Sequence, residues 1–144
     1  MKHYADSSFL VSCYLADANT ARAKEWLLHT SAPLPFTELH ALEVPNALRL
    51  GVFRQTISQA QAFAALADID GDLTAGRLVK LPVDWPAAFR VAARLSEQHS
   101  ATKGSRSLDI LHVAAAKTLR ALDFLTFDTR QSVLATGSGF NALP

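Results

Sequence analysis

A chain of 144 residues, 49% hydrophobic and 19% charged, has the size and composition of one globular domain with a substantial core, which excludes a disordered or fibrous class. Fourteen Lys and Arg stand against thirteen Asp and Glu, and a balance of +1 excludes a nucleic-acid role argued from charge alone. The single cysteine, Cys13, excludes an internal disulfide and fits a reducing compartment; no run reaches the roughly 18 apolar residues of a membrane span, and Asp6 and Asp17 interrupt any signal-peptide core, so a cytoplasmic protein without a membrane partner is expected.

The first run, Lys2-His3-Tyr4-Ala5, has strand character and ends at Asp6. The apolar segment after it, carrying Phe9, Leu10, Val11, Tyr14 and Leu15, reads as a buried helix in which Cys13 is a small core residue. Asn19 or Thr20 caps a second helix through Ala23, Trp26 and Leu27. Leu34-Pro35-Phe36 is a short strand, and a helix follows from near Thr37 to Leu50, stopped by Gly51. Pro45 lies inside that helix and removes the amide that would bond the Ala41 carbonyl, so the helix either kinks there or begins later than Thr37.

A further helix spans about Ser58 to Leu73, with Ala62, Phe63, Leu66 and Ile69 at helical spacing. Arg77 to Leu81 is another short strand. Asp84 caps a helix with Pro86 in its first turn, carrying Phe89, Val91, Ala92 and Leu95. Ala101 to Arg106 reads as a polar loop. From Ser107, a stripe of Leu108, Leu111, Ala115, Leu119 and Leu122 is filled in by Ile110, Val113 and Ala114, the pattern of a helix buried against a sheet. Phe124-Leu125-Thr126-Phe127 is a last strand-like run, ending at Asp128, which can cap a helix reaching Ala135. Short strands separated by helices imply parallel pairing through right-handed crossovers. The expected fold is α/β, a three-layer α/β/α sandwich with a central parallel sheet, in a single domain over residues 1–144.

Four acids stand in this framework where a randomly placed surface carboxylate would be unusual. Asp6 and Asp128 follow strands, on the edge where parallel sheets form their functional crevice. Asp109 falls in the first turn of the most hydrophobic helix, as its second residue if Ser107 is the cap, where the helix dipole favours its charge. Glu43 interrupts an apolar helical face, with Asn46 three residues on. Acids embedded in core-making segments want a partner, and no lysine or arginine recurs beside all four. Four carboxylates without thiolates suit a hard divalent cation, Mg2+ or Mn2+, and such ions clamp and polarise phosphodiesters.

The segments Tyr4-Ala5-Asp6-Ser7-Ser8-Phe9-Leu10-Val11, Leu42-Glu43-Val44-Pro45-Asn46-Ala47-Leu48, Ser107-Leu108-Asp109-Ile110-Leu111-His112-Val113-Ala114-Ala115-Ala116 and Phe124-Leu125-Thr126-Phe127-Asp128 resemble the PIN-domain family, in order and spacing, across essentially the whole chain. The compact length looks like that of VapC-type toxins. The resemblance implies a metal-dependent endoribonuclease acting on RNA, an α/β/α sandwich, and a homodimer inhibited by a small antitoxin. It implies that Asp6, Glu43 and Asp109 are metal-binding and catalytic, with Asp128 the fourth acid and Thr126 the hydroxyl residue beside it.

Around these, Ser8 and Asn46 are candidate supporting residues, and Lys103 and Arg106 are candidate contacts to RNA phosphates. Solvated loop charges are the plain alternative for that pair, and Asn46 equally well only packs. His112 reads as a satisfied histidine on a packed helix rather than a catalytic base. Other functional classes are a PIN-like fold kept only as a binding module, a receiver domain and a dehalogenase-like phosphatase. The last two are disfavoured, because Ser7-Ser8 follows Asp6 where a receiver wants a paired acid and the phosphatase a second Asp two residues on.

Overall fold

A computed structural model describes residues 2–144, and no described helix is long and apolar enough to cross a membrane. Twelve elements follow one another among these residues: β1 (His3–Ala5), α1 (Ser7–Tyr14), α2 (Thr20–Leu28), β2 (Leu34–Phe36), α3 (Glu38–Phe53), α4 (Gln59–Thr74), β3 (Leu78–Lys80), α5 (Trp85–Lys103), α6 (Ser107–Thr118), β4 (Asp123–Leu125), α7 (Thr129–Gly137) and β5 (Asn141–Leu143). Every strand pairing is parallel, so the fold is α/β as the alternation of strands and helices implies. The residues group into two compact units, Met1–Asp6 with Pro82–Pro144, and Ser7–Leu81.

The first unit holds the sheet β1-β4-β5, with Tyr4 opposite Phe124 and Phe124 opposite Ala142. Tyr4 and Phe124, both fully buried, stack at 5.7 Å, and Phe140 lies 5.8 Å from Phe124. At the start of the ladder His3 Nδ1 meets Asp123 Oδ2 at 2.8 Å, and Asn141 Nδ2 donates to Asp123 Oδ1 at 2.9 Å, so one buried acid ties all three strands. Residues 110–116 of α6 are buried without interruption. That is the all-round apolar helix read from the sequence. Asp84 caps α5, its Oδ1 accepting from the Ala87 amide at 2.9 Å, with Pro86 in the first turn.

The second unit pairs β2 with β3, Leu34 opposite Leu78, and packs α1 to α4 around Phe9, Leu10, Ala23, Leu48 and Ile69. Ser58 caps α4, accepting from the Gln61 amide at 3.0 Å, while Gln61 accepts from the Ser58 amide at 2.7 Å.

Several boundaries differ from the sequence reading. The helix read as ending at Gly51 continues to Phe53, because that glycine is set by a close approach rather than a stop: a Cβ there would lie 3.0 Å from Ile57. Ala101, Thr102 and Lys103 belong to α5, and the connecting loop begins at Gly104, whose φ of 63° ends the helix. The cap of α6 is Arg106, not Ser107, so Asp109 is the third helical residue instead of the second. Helix α3 begins directly after Thr37 despite Pro45, which excludes the later start. Phe63, Phe89, Leu108 and Leu122, assigned to apolar stripes, are exposed. Strand β5 was not read at all.

Candidate functional site

Asp6 stands one residue past β1, where its amide continues the ladder by donating to the Leu125 carbonyl at 2.9 Å. Its side chain is turned inward, leaving the residue 2% exposed, and Oδ2 accepts the Thr126 hydroxyl at 2.6 Å. Thr126 is positioned in the same way, one residue past β4, its amide donating to the Leu143 carbonyl at 2.9 Å. The same hydroxyl oxygen accepts the Asp128 amide at 3.0 Å. One threonine thus donates to one acid and accepts from the backbone of another, the full repertoire of a hydroxyl.

Asp128 serves as the N-cap of α7: Oδ1 accepts from the amides of Arg130 at 2.8 Å and Gln131 at 3.2 Å. The capping job read from the sequence as its plain alternative is therefore real, and it uses only one oxygen of the carboxylate. The other, Oδ2, lies 3.4 Å from Arg106 Nη2. Arg106 also donates through Nε to Asp109 Oδ2 at 2.7 Å. Gln131, buried on α7, completes the link by donating to the Asp109 carbonyl at 3.2 Å. Asp6, Thr126, Asp128, Arg106 and Asp109 are therefore joined in one unbroken chain of polar contacts within the first unit.

Glu43 belongs to the second unit, on the Pro45-bearing helix α3. Its Oε2 accepts the Ser7 hydroxyl at 2.8 Å, from the first residue of α1. Ser7 is buried whereas Ser8 and Asn46 are exposed. Lys103 lies in the last turn of α5, its ammonium so close to Gly137 that a Cβ there would stand 2.6 Å from Nζ. His112 is buried, with Nδ1 2.8 Å from the Tyr4 hydroxyl, which is the satisfied histidine expected.

Sequence reasoning missed three contacts. Arg106 reads from the sequence as a candidate phosphate contact or a solvated loop charge, yet its position three residues before Asp109 on the same helix start is a spacing that pairs charges. Ser7 directly follows Asp6, and nothing in the sequence signals the Glu43 carboxylate that it meets. Gln131 had no signal, since a glutamine in a short helix has no periodic reason to be buried.

The donor set is all oxygen, which fits a hard divalent cation and not zinc. Among the described residues, no three His, Cys, Asp or Glu side chains form a group able to hold a metal ion. What stands between Asp109 and Asp128 is the Arg106 guanidinium.

The second unit also contains a cavity of about 340 Å³ whose lining includes Cys13, Tyr14, Asp72 and Arg77 and none of the four acids. Its polar groups are mutually satisfied: the Tyr14 hydroxyl and Arg77 Nε each donate to Asp72 at 2.7 Å. Burial, with Asp72 and Asp17 nearby, pushes the Cys13 thiol up to about 12, which makes it unreactive near neutral pH. Burial and the bond to Asp72 raise the Tyr14 hydroxyl as well.

A family model described as PIN domain matches residues 4–137. No curated protein matches the chain by sequence. Among solved structures the chain is similar to VapC20 of Mycobacterium tuberculosis, described as a sarcin-ricin loop cleaving toxin, at 16% identity with 96% of each chain covered and a TM-score of 0.69. It is similar to FitAcB of Neisseria gonorrhoeae at 16% identity, covering 99% of this chain and 96% of that one, with a TM-score of 0.65. It is also similar to VapBC2 of Rickettsia felis, solved bound to a DNA fragment from their promoter, at 13% identity, covering 100% and 98%, with a TM-score of 0.65. At such identities the likeness is one of fold.

Proposed function

The chain belongs to the PIN-domain family, and on that footing we propose that it is a Mg2+- or Mn2+-dependent endoribonuclease, the toxin of a toxin–antitoxin pair. The observation that carries this reading is the contact chain from Asp6 through Thr126, Asp128 and Arg106 to Asp109. It links three of the four acids, spread in sequence from residue 6 to residue 128, and the ligand atoms these acids offer are all hard oxygens.

Asp6, Asp109 and Asp128 are the residues of the first unit that would hold the ion, and Glu43 is the metal-binding acid proposed in the second. When bound, the ion supplies a Lewis acid for a phosphoryl oxygen and makes water a stronger acid. The chain's own residues prepare for that. Thr126 fixes the rotation of the Asp6 carboxylate, and Ser7 does the same for Glu43. Asp109 stands in the first turn of α6, and two α7 amides hold Asp128. Lys103, in the last turn of α5, and Arg106, the cap of α6, are the cations proposed to meet RNA phosphates.

The family model runs through both units in a single match, which supports reading residues 1–144 as one nuclease domain. Likeness to VapC20, described as a toxin, and to VapBC2 supports a toxin with a cognate antitoxin; action in the cytoplasm as a homodimer is a further part of the proposal. The test compares RNA cleavage by wild type, Asp6→Asn and Asp109→Asn, with Mg2+ or Mn2+ and with EDTA. Cleavage by wild type alone, abolished by chelation, is expected. Cleavage that survives both substitutions and EDTA sinks the assignment.

A further inference from the structure

We infer that Arg106 is a built-in competitor of the divalent ion, a guanidinium clasp that holds Asp109 and Asp128 in the metal-free chain and is displaced when the ion binds. The inference rests on the metal reading of the acids given above.

The geometry is that of a bridging cation. Nε donates to Asp109 Oδ2 at 2.7 Å, a charge-assisted bond, and Nη2 of the same fork lies 3.4 Å from Asp128 Oδ2. The two acids come from the first turn of α6 and the cap of α7, so each sits at a helix N-terminus and one arginine neutralises both. Asp128 spends Oδ1 on the cap, which leaves Oδ2 as the oxygen that a guanidinium and a metal ion would both use. An ion on the same oxygens would set like charges side by side, and that repulsion opposes simultaneous occupancy.

Arg106 is also built to leave. Its side chain is 61% exposed, whereas those of its partners Asp109 and Asp128 are 18% and 29% exposed, so the acids stay fixed while the arginine faces solvent. It follows Gly104 and Ser105 and precedes the first residue of α6, so rotating its side chain breaks no helical turn. The clasp and a contact to an RNA phosphate would then be two positions of one side chain.

The test is Mn2+ binding to the metal-stripped full chain by titration calorimetry, alongside the metal-free melting temperature, for wild type, Arg106→Ala, Arg106→Lys and Asp109→Asn. Arg106→Ala is expected to bind Mn2+ about three- to fivefold more tightly than wild type, because a partly exposed ion pair no longer has to be broken. Its metal-free melting temperature is expected to fall, and Mn2+ to raise it by a larger increment. Arg106→Lys, which keeps the charge without the fork, falls between and supplies the comparison if the alanine variant does not fold. Equal or weaker Mn2+ binding by folded Arg106 variants, with Asp109→Asn still losing affinity, overturns the clasp alone. Wild type that binds no Mn2+, or that binds it no better than Asp109→Asn, overturns the metal reading and the clasp with it.

Discussion

Thr126 and Asp6, 120 residues apart in the chain, meet at 2.6 Å through a hydroxyl that donates to a nearly fully buried carboxylate. The meeting is fixed by the β1–β4 register, in which Ala5 faces Leu125 and each functional residue is the next one along. Thr126→Val keeps the shape and removes the donor. It is expected to destabilise the chain by about 1–3 kcal/mol, the cost of withdrawing a hydrogen bond from a buried charged group. Thr126→Ser should recover most of that, and chemical denaturation measures both. A valine variant as stable as wild type would show that the hydroxyl does not hold Asp6.

Cys13 gives the chain a built-in alkaline sensitivity. Its pKa rises from 9.0 in ordinary surroundings to about 12 by burial and by the carboxylates of Asp72 and Asp17. The folded chain therefore keeps the thiol proton while the unfolded chain loses it. The associated stability is intact below pH 9 and is lost as pH climbs from 9 towards 12, at about 1.4 kcal/mol per pH unit. Between pH 9 and 10, below the range in which Tyr14 contributes, wild type is expected to lose on the order of 1 kcal/mol more than Cys13→Ala. Parallel stability curves for the two chains over that interval would refute it.

Pro45 is a local fault inside α3 that the fold tolerates. It has no amide for the Ala41 carbonyl, and Ala41 is exposed, so water can take that carbonyl. Pro45→Ala restores a donor. A proline in a helix interior costs about 3 kcal/mol, and the stiffness it gives the unfolded chain offsets up to about 1 kcal/mol. The alanine variant is expected to be about 1–2 kcal/mol more stable in urea or guanidinium. A destabilised variant would mean that the proline ring itself packs α3 into place.

What was legible in the sequence is what local chemistry determines. Asp84 before Pro86, Ser58 before Gln61, and Thr37 before a long apolar helix each announce a start that the structure keeps. The parallel pairing followed from strands alternating with helices, and Asp6 from its place after the first strand. The rest depended on distant partners. Strand β5 is Asn141-Ala142-Leu143, without the β-branched or aromatic residues that mark a strand, and it exists because β4 offers it an edge. Gly51 looked like a stop because nothing in the sequence says that Ile57 folds back over it. The two roles of Asp128, cap through one oxygen and ion pair through the other, are invisible until Arg106 is brought beside it. Residue types and spacing reveal which groups exist; only the tertiary fold divides each group's lone pairs among its neighbours.

The Tyr4 hydroxyl and His112 Nδ1, 2.8 Å apart in the core of the first unit, test that point directly. Tyr4→Phe keeps the ring and its stack on Phe124 but leaves the buried nitrogen without this partner. The expected cost is about 1–3 kcal/mol. His112→Leu removes this hydrogen bond from the buried hydroxyl in turn, with a similar penalty. The double variant removes both polar groups, and replacing two hydrogen-bonded partners by apolar ones is close to neutral. Tyr4→Phe/His112→Leu is therefore expected to lose less stability than the two single changes added together, by about 1 kcal/mol or more in a double-mutant cycle. Additive losses would show that the two rings pack side by side without sharing a hydrogen bond.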